Sequence, residues 1–139
     1  MTGSRIERTT TRLLSRANSR AQAIRLEAFA AAESSGYVSR LLASIADEGE
    51  ASQAELGRRT GIDPSDVVAA LNEMSAEGFV TRHRDPADGR RNVVSLTRVG
   101  RAELRRLDAV VATIQETFLE PLSDSERRQL VRLLTKLLD

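Results

Sequence analysis

Cysteine and tryptophan are absent from this chain of 139 residues, and histidine occurs once, at His83. Without cysteine the chain can form no disulfide scaffold, thiolate nucleophile, cysteine-ligated metal site or thiol redox switch. A single histidine also argues against a histidine-based zinc site or a Ser-His-Asp triad. The sequence carries no Gly-rich phosphate loop and no nucleophile–base pair. We therefore expect a protein that is not an enzyme and that uses no cofactor.

Aromatic residues are also scarce, at 3% of the chain, so the core must consist mainly of Leu, Val, Ile and Ala. No apolar run approaches the roughly 18 residues of a membrane-spanning helix. The start of the chain is rich in arginine and does not resemble a signal sequence. We expect a cytoplasmic protein with no membrane partner. Its 40% hydrophobic and 29% charged residues are ordinary for a globular protein.

Positive charge is concentrated near the N-terminus, although the net charge of the whole chain is only +1. Neither glycine nor proline occurs between about residues 5 and 32, which predicts one long helix there. A basic stripe follows this segment at three- and four-residue spacing, at Arg5, Arg8, Arg12, Arg16 and Arg20. A solvated helix face and a nucleic-acid contact are both consistent with that stripe.

Two short helices joined by a tight turn are predicted in the middle of the chain. Ser52 and Glu55 have the spacing of a capping box, in which each residue satisfies a backbone amide of the other. Gly61 suits the left-handed position that ends a helix. Asp63 followed by Pro64 predicts the start of the next helix. Two short helices separated by such a turn are typical of a helix-turn-helix.

The hydrophobic period changes from helical to alternating after Gly78. Residues 79–82 and 93–96 are predicted to form two antiparallel strands. The segment between them, Asp85 to Arg91, is rich in charge and in turn-forming residues. A helix-turn-helix followed directly by a β-hairpin is a winged helix. The predicted fold is therefore mainly α-helical with a small β-hairpin.

The two ends of the chain carry more apolar helix surface than a winged helix needs. Beyond residue 100, apolar residues recur at spacings of three and four, at Leu104, Leu107, Val111, Ile114 and Phe118, and the last helix is rich in leucine. A second copy of the chain is the simplest cover for such surfaces, which predicts a homodimer. We assign residues 1–33 and 101–139 to dimerisation and residues 34–100 to a winged helix-turn-helix.

Several motifs between residues 53 and 100 occur together in one order. They are Gln53-Ala54-Glu55-Leu56-Gly57, Gly61-Ile62, Asp85-x-x-Asp88-Gly89-Arg90 and Leu96-Thr97-x-x-Gly100. In this order they resemble the MarR family of bacterial transcriptional regulators, and the likeness extends over nearly the whole chain in the order of its elements. The wing motif and the Leu-Thr-x-x-Gly motif make it more specific than a helix-turn-helix alone.

This resemblance implies a triangular dimer whose two winged helices face double-stranded DNA with an inverted-repeat operator. The recognition helix, Ser65 to Glu77 by matching position, would enter the major groove, and Arg90 at the wing tip would reach the minor groove. Many members of the family are released from DNA by small aromatic or lipophilic acids. The implied function is a repressor of transcription that such a ligand relieves.

The recognition helix departs from the usual family pattern because residues 65–77 include neither Arg nor Lys. We expect Asn72 to pair with adenine and Ala69 to contact a thymine methyl group. Asp66 also has an explanation as a charge that stabilises the helix N-terminus. Arginines outside the helix would bind phosphates, with Asp88 orienting Arg90. The predicted DNA-contacting residues are Gln53, Arg58, Arg59, Ser65, Asp66, Ala69, Asn72, Arg82, Arg84, Asp88, Arg90 and Arg91.

Two further points stay open at the level of sequence. Arg25, Phe29 and Tyr37 lie near the expected position of the family's ligand cleft, but a core or surface role explains each of them as well. The arginine-free recognition helix also leaves room for a second function. In that alternative, the winged helix is a protein-interaction module without specific DNA binding.

Overall fold

The computed structural model describes residues 3–139 and has the mainly helical winged-helix arrangement that the sequence predicts. A 3-10 helix, Ile6–Arg8, precedes six α-helices and one hairpin. Their bounds are α1 Thr10–Ala31, α2 Gly36–Glu48, α3 Gln53–Thr60, α4 Pro64–Ala76, β1 Val80–Arg84, β2 Asn92–Leu96, α5 Arg98–Leu119 and α6 Asp124–Leu138. None of the helices in the described part of the chain is long and apolar enough to span a membrane.

The turn between α3 and α4 forms as predicted. Gly61 ends α3 in the left-handed conformation, with φ of 68°. The Asp63 side chain caps α4 by accepting a hydrogen bond from the backbone N–H of Ser65, and Pro64 occupies the first turn. The helix-turn-helix is therefore held by local contacts of its own residues.

Two serine–glutamate pairs have the spacing of a capping box, but only one of them forms both hydrogen bonds of the motif. At α6, Ser123 and Glu126 form both reciprocal hydrogen bonds, and the one that the Ser123 backbone N–H donates to the Glu126 carboxylate is the main cause that lowers the pKa of that carboxyl. At α3, Ser52 accepts from the Glu55 backbone N–H at 3.2 Å, but the Glu55 carboxylate bonds to Arg91 instead of returning to the Ser52 amide. A charged guanidinium is a stronger partner for a carboxylate than a neutral amide is.

The prediction of one continuous N-terminal helix from residue 5 to 32 was wrong at its start. Thr9 is extended, with φ of −70° and ψ of 149°, and separates the 3-10 helix from α1. Its hydroxyl donates to the Ile6 carbonyl at 2.8 Å, which stabilises the break. Arg5 and Arg8 therefore do not lie on α1, and the predicted basic stripe is interrupted.

The wing strands pair in antiparallel register, with Val80 opposite Leu96 and Arg84 opposite Asn92. β1 begins one residue later than predicted and runs two residues further, and β2 begins one residue earlier. The outer edge of β2 is also paired, because Ala51 and Val94 exchange two backbone hydrogen bonds of 3.3 and 2.7 Å. The hairpin is thus attached to the segment that precedes α3.

The junction between β2 and α5 explains the Leu-Thr-x-x-Gly motif. The Thr97 hydroxyl donates to the Gly78 carbonyl at 2.6 Å and accepts from the Gly100 backbone N–H at 2.9 Å, so it caps α5. A Cβ atom placed on Gly100 would lie only 2.0 Å from the Phe79 carbonyl oxygen. Only glycine allows α5 to pass this close to the residue that precedes β1.

The chain divides into two compact units. One contains residues 29–110, and its core is formed by fully buried side chains from α2 to α5, namely Leu41, Leu42, Leu56, Val67, Leu71, Met74 and Leu107. Each such side chain contributes about 1.5–3 kcal/mol through burial. The division falls within α1 and α5, so the predicted boundaries at residues 33 and 100 stay predictions.

The second unit contains the described residues up to Ala28 together with Val111–Asp139. Within it, Arg20 lies over the Phe118 ring at 5.3 Å and donates to the Phe118 carbonyl at 2.9 Å. No residue of α6 is buried, and large apolar side chains of α1 and α6 are exposed, namely Leu13, Leu14, Leu26, Val131, Leu133, Leu137 and Leu138. Apolar surface this extensive on terminal helices is typical of an association surface.

Candidate nucleic-acid interface

Helix α4 has one buried face and one exposed face. Val67, Ala70, Leu71 and Met74 are buried in the winged-helix core. On the other side, Ser65, Ala69, Asn72 and Glu73 are exposed, and Asp66 is half-buried. The face opposite the core is therefore accessible along the helix, as the sequence predicts for a recognition helix.

The N-terminus of α4 carries a fixed negative charge. The Asp63 carboxylate accepts from the Ser65 hydroxyl at 2.6 Å and from the Ser65 backbone N–H at 3.0 Å, and these bonds lower the pKa of Asp63. Asp63 is therefore ionised at neutral pH, and with Asp66 it makes this end of the helix acidic. The Ser65 hydroxyl is already engaged, so it is less available to a phosphate.

An arginine from the wing compensates for the lack of basic residues on α4. Arg82 of β1 extends across to the exposed face of α4, where its Nη2 donates to the Asn72 Oδ1 at 2.9 Å. Sequence reasoning selected both residues but did not pair them. The structure therefore places a guanidinium directly beside Asn72 on the recognition helix.

The wing tip presents Arg90 to solvent. The Asp88 carboxylate accepts from the Arg90 backbone N–H at 3.0 Å and from its Nε at 3.4 Å. The Arg90 side chain nevertheless remains 94% exposed. Asp88 thus contacts Arg90 as the sequence predicts and leaves its guanidinium accessible.

Arg91 anchors the wing to α3. Its guanidinium donates to Asp85 at 2.8 Å and also forms an ion pair with Glu55. Asp85 further closes the loop, since its backbone N–H donates to the Arg91 carbonyl at 2.7 Å. Sequence reasoning missed Glu55 as a wing partner because it assigned that side chain to the capping box. Two carboxylates balance Arg91, which reduces what it can offer to a phosphate.

Arg59 is also occupied within the fold. It donates to the Gly49 carbonyl at 2.8 Å and pairs with Glu48 at 3.3 Å, and its side chain is only 24% exposed. Arg58 and Arg84 are exposed, as is Gln53 at the start of α3. Among the predicted phosphate-binding arginines, those with an accessible guanidinium are therefore Arg58, Arg82, Arg84 and Arg90.

His83 lies on the hairpin surface rather than in a metal site. Its Nε2 is 2.7 Å from the Ser95 hydroxyl and 3.4 Å from the Glu50 carboxylate. Within residues 3–139, no group of three or more His, Cys, Asp or Glu side chains could hold a metal ion.

The three residues assigned to a ligand site lie in different surroundings. Phe29 is buried, and its ring would be 3.6 Å from a Cβ placed on Gly36. Tyr37 is exposed to 42%, and Arg25 is exposed as well. Their assignment to a ligand site stays a prediction.

A cavity of about 350 Å³ lies within the compact unit of residues 29–110, the winged-helix unit, and Arg25, Phe29 and Tyr37 do not line it. Its apolar wall includes Val38, Met74 and Phe79. Four carboxylates and one guanidinium also line it, from Glu33, Glu73, Glu77, Glu103 and Arg106. Arg106 donates twice to Glu103, at 2.7 and 2.8 Å, and once to the Ala32 carbonyl at 2.9 Å. The guanidinium of Arg106, the one positively charged group among the lining residues, is therefore already hydrogen-bonded within the protein.

Known proteins of similar sequence and structure are regulators of transcription. Residues 36–91 match a family model described as MarR family. The repressor NicR of Pseudomonas putida is 32% identical over 98 residues, which are 70% of this chain. The match covers 62% of NicR, so this chain spans less than two thirds of that relative.

Two solved structures match over nearly their whole length. A protein described as a probable transcriptional regulator from Pseudomonas aeruginosa is 32% identical, with a TM-score of 0.83, and the match covers 96% of this chain and 99% of that one. BpsR of Bordetella bronchiseptica is 26% identical, with a TM-score of 0.85, and the match covers 99% of both chains. Its structure is described as showing how 6-hydroxynicotinic acid regulates DNA binding by BpsR.

Proposed function

This chain belongs to the MarR family of winged helix-turn-helix transcriptional regulators, and we propose that it is a homodimeric, sequence-specific repressor that a small organic acid releases from DNA. The wing tip is the observation that carries the proposal. Arg90 is almost fully exposed, is contacted by Asp88, and extends from a helix-turn-helix whose outer helix face is accessible. A guanidinium in this position suits the narrow, negative minor groove of A·T-rich DNA.

Few arginines near the recognition helix and wing are available to bind DNA. Arg59 and Arg91 are balanced by carboxylates, and Asp63 with Asp66 adds negative charge to the start of α4. Arg58, Arg82, Arg84 and Arg90 remain available to DNA. Binding should therefore weaken as salt rises, with a slope set by these four positions in each subunit.

The exposed apolar faces of α1 and α6 support a homodimer in which the chain ends cover each other. We expect light scattering of the full chain to give about twice the 15.2 kDa of one chain. Leu133→Glu and Leu137→Glu should reduce the dimer fraction, because each buries a charge in the proposed interface. Arg128→Glu, an exposed change on the opposite face of the same helix, is the control. A folded monomer from the unaltered chain would contradict this arrangement.

An acid ligand is proposed because BpsR, a full-length structural relative, is described with 6-hydroxynicotinic acid. The cavity of the winged-helix unit does not suit an anion, since carboxylates outnumber its one guanidinium by four to one. Arg25, which is exposed and outside that cavity, is the proposed contact.

6-Hydroxynicotinic acid and related aromatic acids should raise the melting temperature of the free protein and weaken its binding to DNA. A ligand at 100 times its Kd stabilises a protein by about 2.7 kcal/mol, and it displaces DNA only if it prefers the unbound state. Arg25→Ala should reduce the response, and the uncharged amide of the same ring is the control compound. If a panel of aromatic acids changes neither the melting temperature nor the DNA affinity, release by an acid ligand is refuted. The proposal that the protein binds DNA would still stand.

A protein-interaction module is the second candidate, and the acidic start of α4 is the observation that favours it. Chromatography on heparin and titration with DNA at several salt concentrations separate the two functions. A DNA-binding protein is retained on heparin and shows a steep salt dependence. Absence of both would support the interaction module.

A further inference from the structure

We infer that Arg82 and Asn72 act together as a guanine reader in the major groove, an inference that rests on the proposed DNA-binding function. Helix α4 itself offers no arginine or lysine between residues 65 and 77. The guanidinium of Arg82 reaches its exposed face from β1, with Nη2 at 2.9 Å from the Asn72 Oδ1. Within residues 3–139, Arg82 forms no ion pair with a carboxylate, so its charge is available to a ligand.

The contact fixes the orientation of the Asn72 side chain. A guanidinium has only donors, so it must face the oxygen of the amide and not its nitrogen. The Asn72 Nδ2 is therefore directed to the opposite side of the amide, where it can donate. One of the two lone pairs of this oxygen is occupied by the guanidinium, whose positive charge also repels a base N–H that approaches the other.

The pair consequently presents donors to a base. Asn72 contributes the two N–H groups of its amide, and Arg82 contributes the N–H groups that do not bond to Asn72. Guanine exposes two acceptors in the major groove, N7 and O6, whereas adenine exposes one acceptor and one donor. An unpaired Asn72 would match adenine, as the sequence predicts, but the Arg82–Asn72 pair matches guanine.

Arg84 provides a matched control for Arg82. It lies two residues further along β1, so its side chain leaves the same face of the strand, and it is exposed. No hydrogen bond joins the Arg84 and Asn72 side chains. Arg84→Ala removes one positive charge from the same strand but leaves the reading pair intact.

The first step is to select bound sequences from a random duplex library with the unaltered protein and to identify the guanines in each half-site. At one of these guanines, exchange for adenine should lower the affinity of the protein for the DNA by about tenfold to hundredfold. Replacing it with 7-deazaguanine, which lacks only the N7 acceptor, should also weaken binding. In Arg82→Ala both penalties should fall to less than about threefold.

Two further variants test the pairing itself. Asn72→Ala in the Arg82→Ala background should add little to the loss of guanine discrimination, because each change breaks the same pair. Arg84→Ala should weaken binding to all sequences equally and retain the discrimination. Melting temperatures equal to that of the unaltered protein establish that the variants are folded.

If Arg82→Ala leaves the discrimination between guanine and adenine unchanged, the inference is overturned but the proposed function is not. The same holds if Arg84→Ala removes this discrimination as fully as Arg82→Ala does. A preference for adenine that depends on Asn72 and not on Arg82 would also overturn it and favour the unpaired interpretation. Selection that enriches no sequence at all would overturn the proposed function, and the inference with it.

Discussion

Arg90→Ala is expected to weaken operator binding by about a hundredfold while leaving folding and dimerisation unchanged. Its side chain is 94% exposed and contacts only Asp88 among the described residues, so the fold loses little when it is removed. A dimer loses two guanidinium contacts, and hydrogen bonds to charged groups contribute about 1.5–3 kcal/mol each. If Arg90 neutralises phosphate, the slope of log affinity against log salt should also fall by roughly 2.

Titrations of one operator at several salt concentrations measure both quantities. Arg90→Lys should restore only part of the affinity, because an ammonium is more strongly hydrated than a guanidinium and lacks its planar fork. Arg128→Ala removes an exposed arginine from α6 and is the control for net charge. Unaltered affinity in Arg90→Ala would mean that the wing tip does not contact DNA.

Gly100→Ala is expected to destabilise the folded chain by about 3 kcal/mol, at the upper end of the usual cost of overpacking. The new Cβ would lie 2.0 Å from the Phe79 carbonyl oxygen, a backbone atom that cannot rotate away. The start of α5 would have to move, which breaks the contacts of Thr97. For a chain of this size the loss corresponds to roughly 10 °C in melting temperature.

Gly89→Ala is a matched control for this prediction. A Cβ on Gly89 meets no atom within 4 Å, so the same substitution there should change the melting temperature by little. Thermal denaturation of the two variants and the unaltered chain makes the comparison. Equal stability of Gly100→Ala and Gly89→Ala would contradict the close approach of α5 to Phe79.

Local signals explain why the helix-turn-helix and the hairpin could be predicted from sequence. Gly61, Asp63 and Pro64 act on the backbone within a few residues of themselves, and the alternating strands extend over short segments. The break at Thr9 was not predictable in this way, because the helical spacing continues through it and the interruption depends on one extended backbone position.

Contacts between distant elements account for what the sequence did not reveal about the site. Glu55 and Arg91 are 36 positions apart, and Arg82 and Asn72 are in a strand and a helix. Periodicity assigns residues to faces but does not say which charges from different elements meet. For that reason Arg91, predicted as a DNA contact, is found anchoring the wing, and Asn72 is found with a partner.

Selection of genomic DNA fragments by the purified chain, followed by sequencing, tests the proposed function most directly. A dimer with two winged helices should enrich fragments that contain two inverted half-sites, with centres about one helical turn, roughly 10 base pairs, apart or a multiple of that distance. Enrichment of such a symmetric sequence at promoter regions is the predicted result. No enrichment above random fragments, or enriched sequences without inverted symmetry, would contradict a dimeric, sequence-specific regulator.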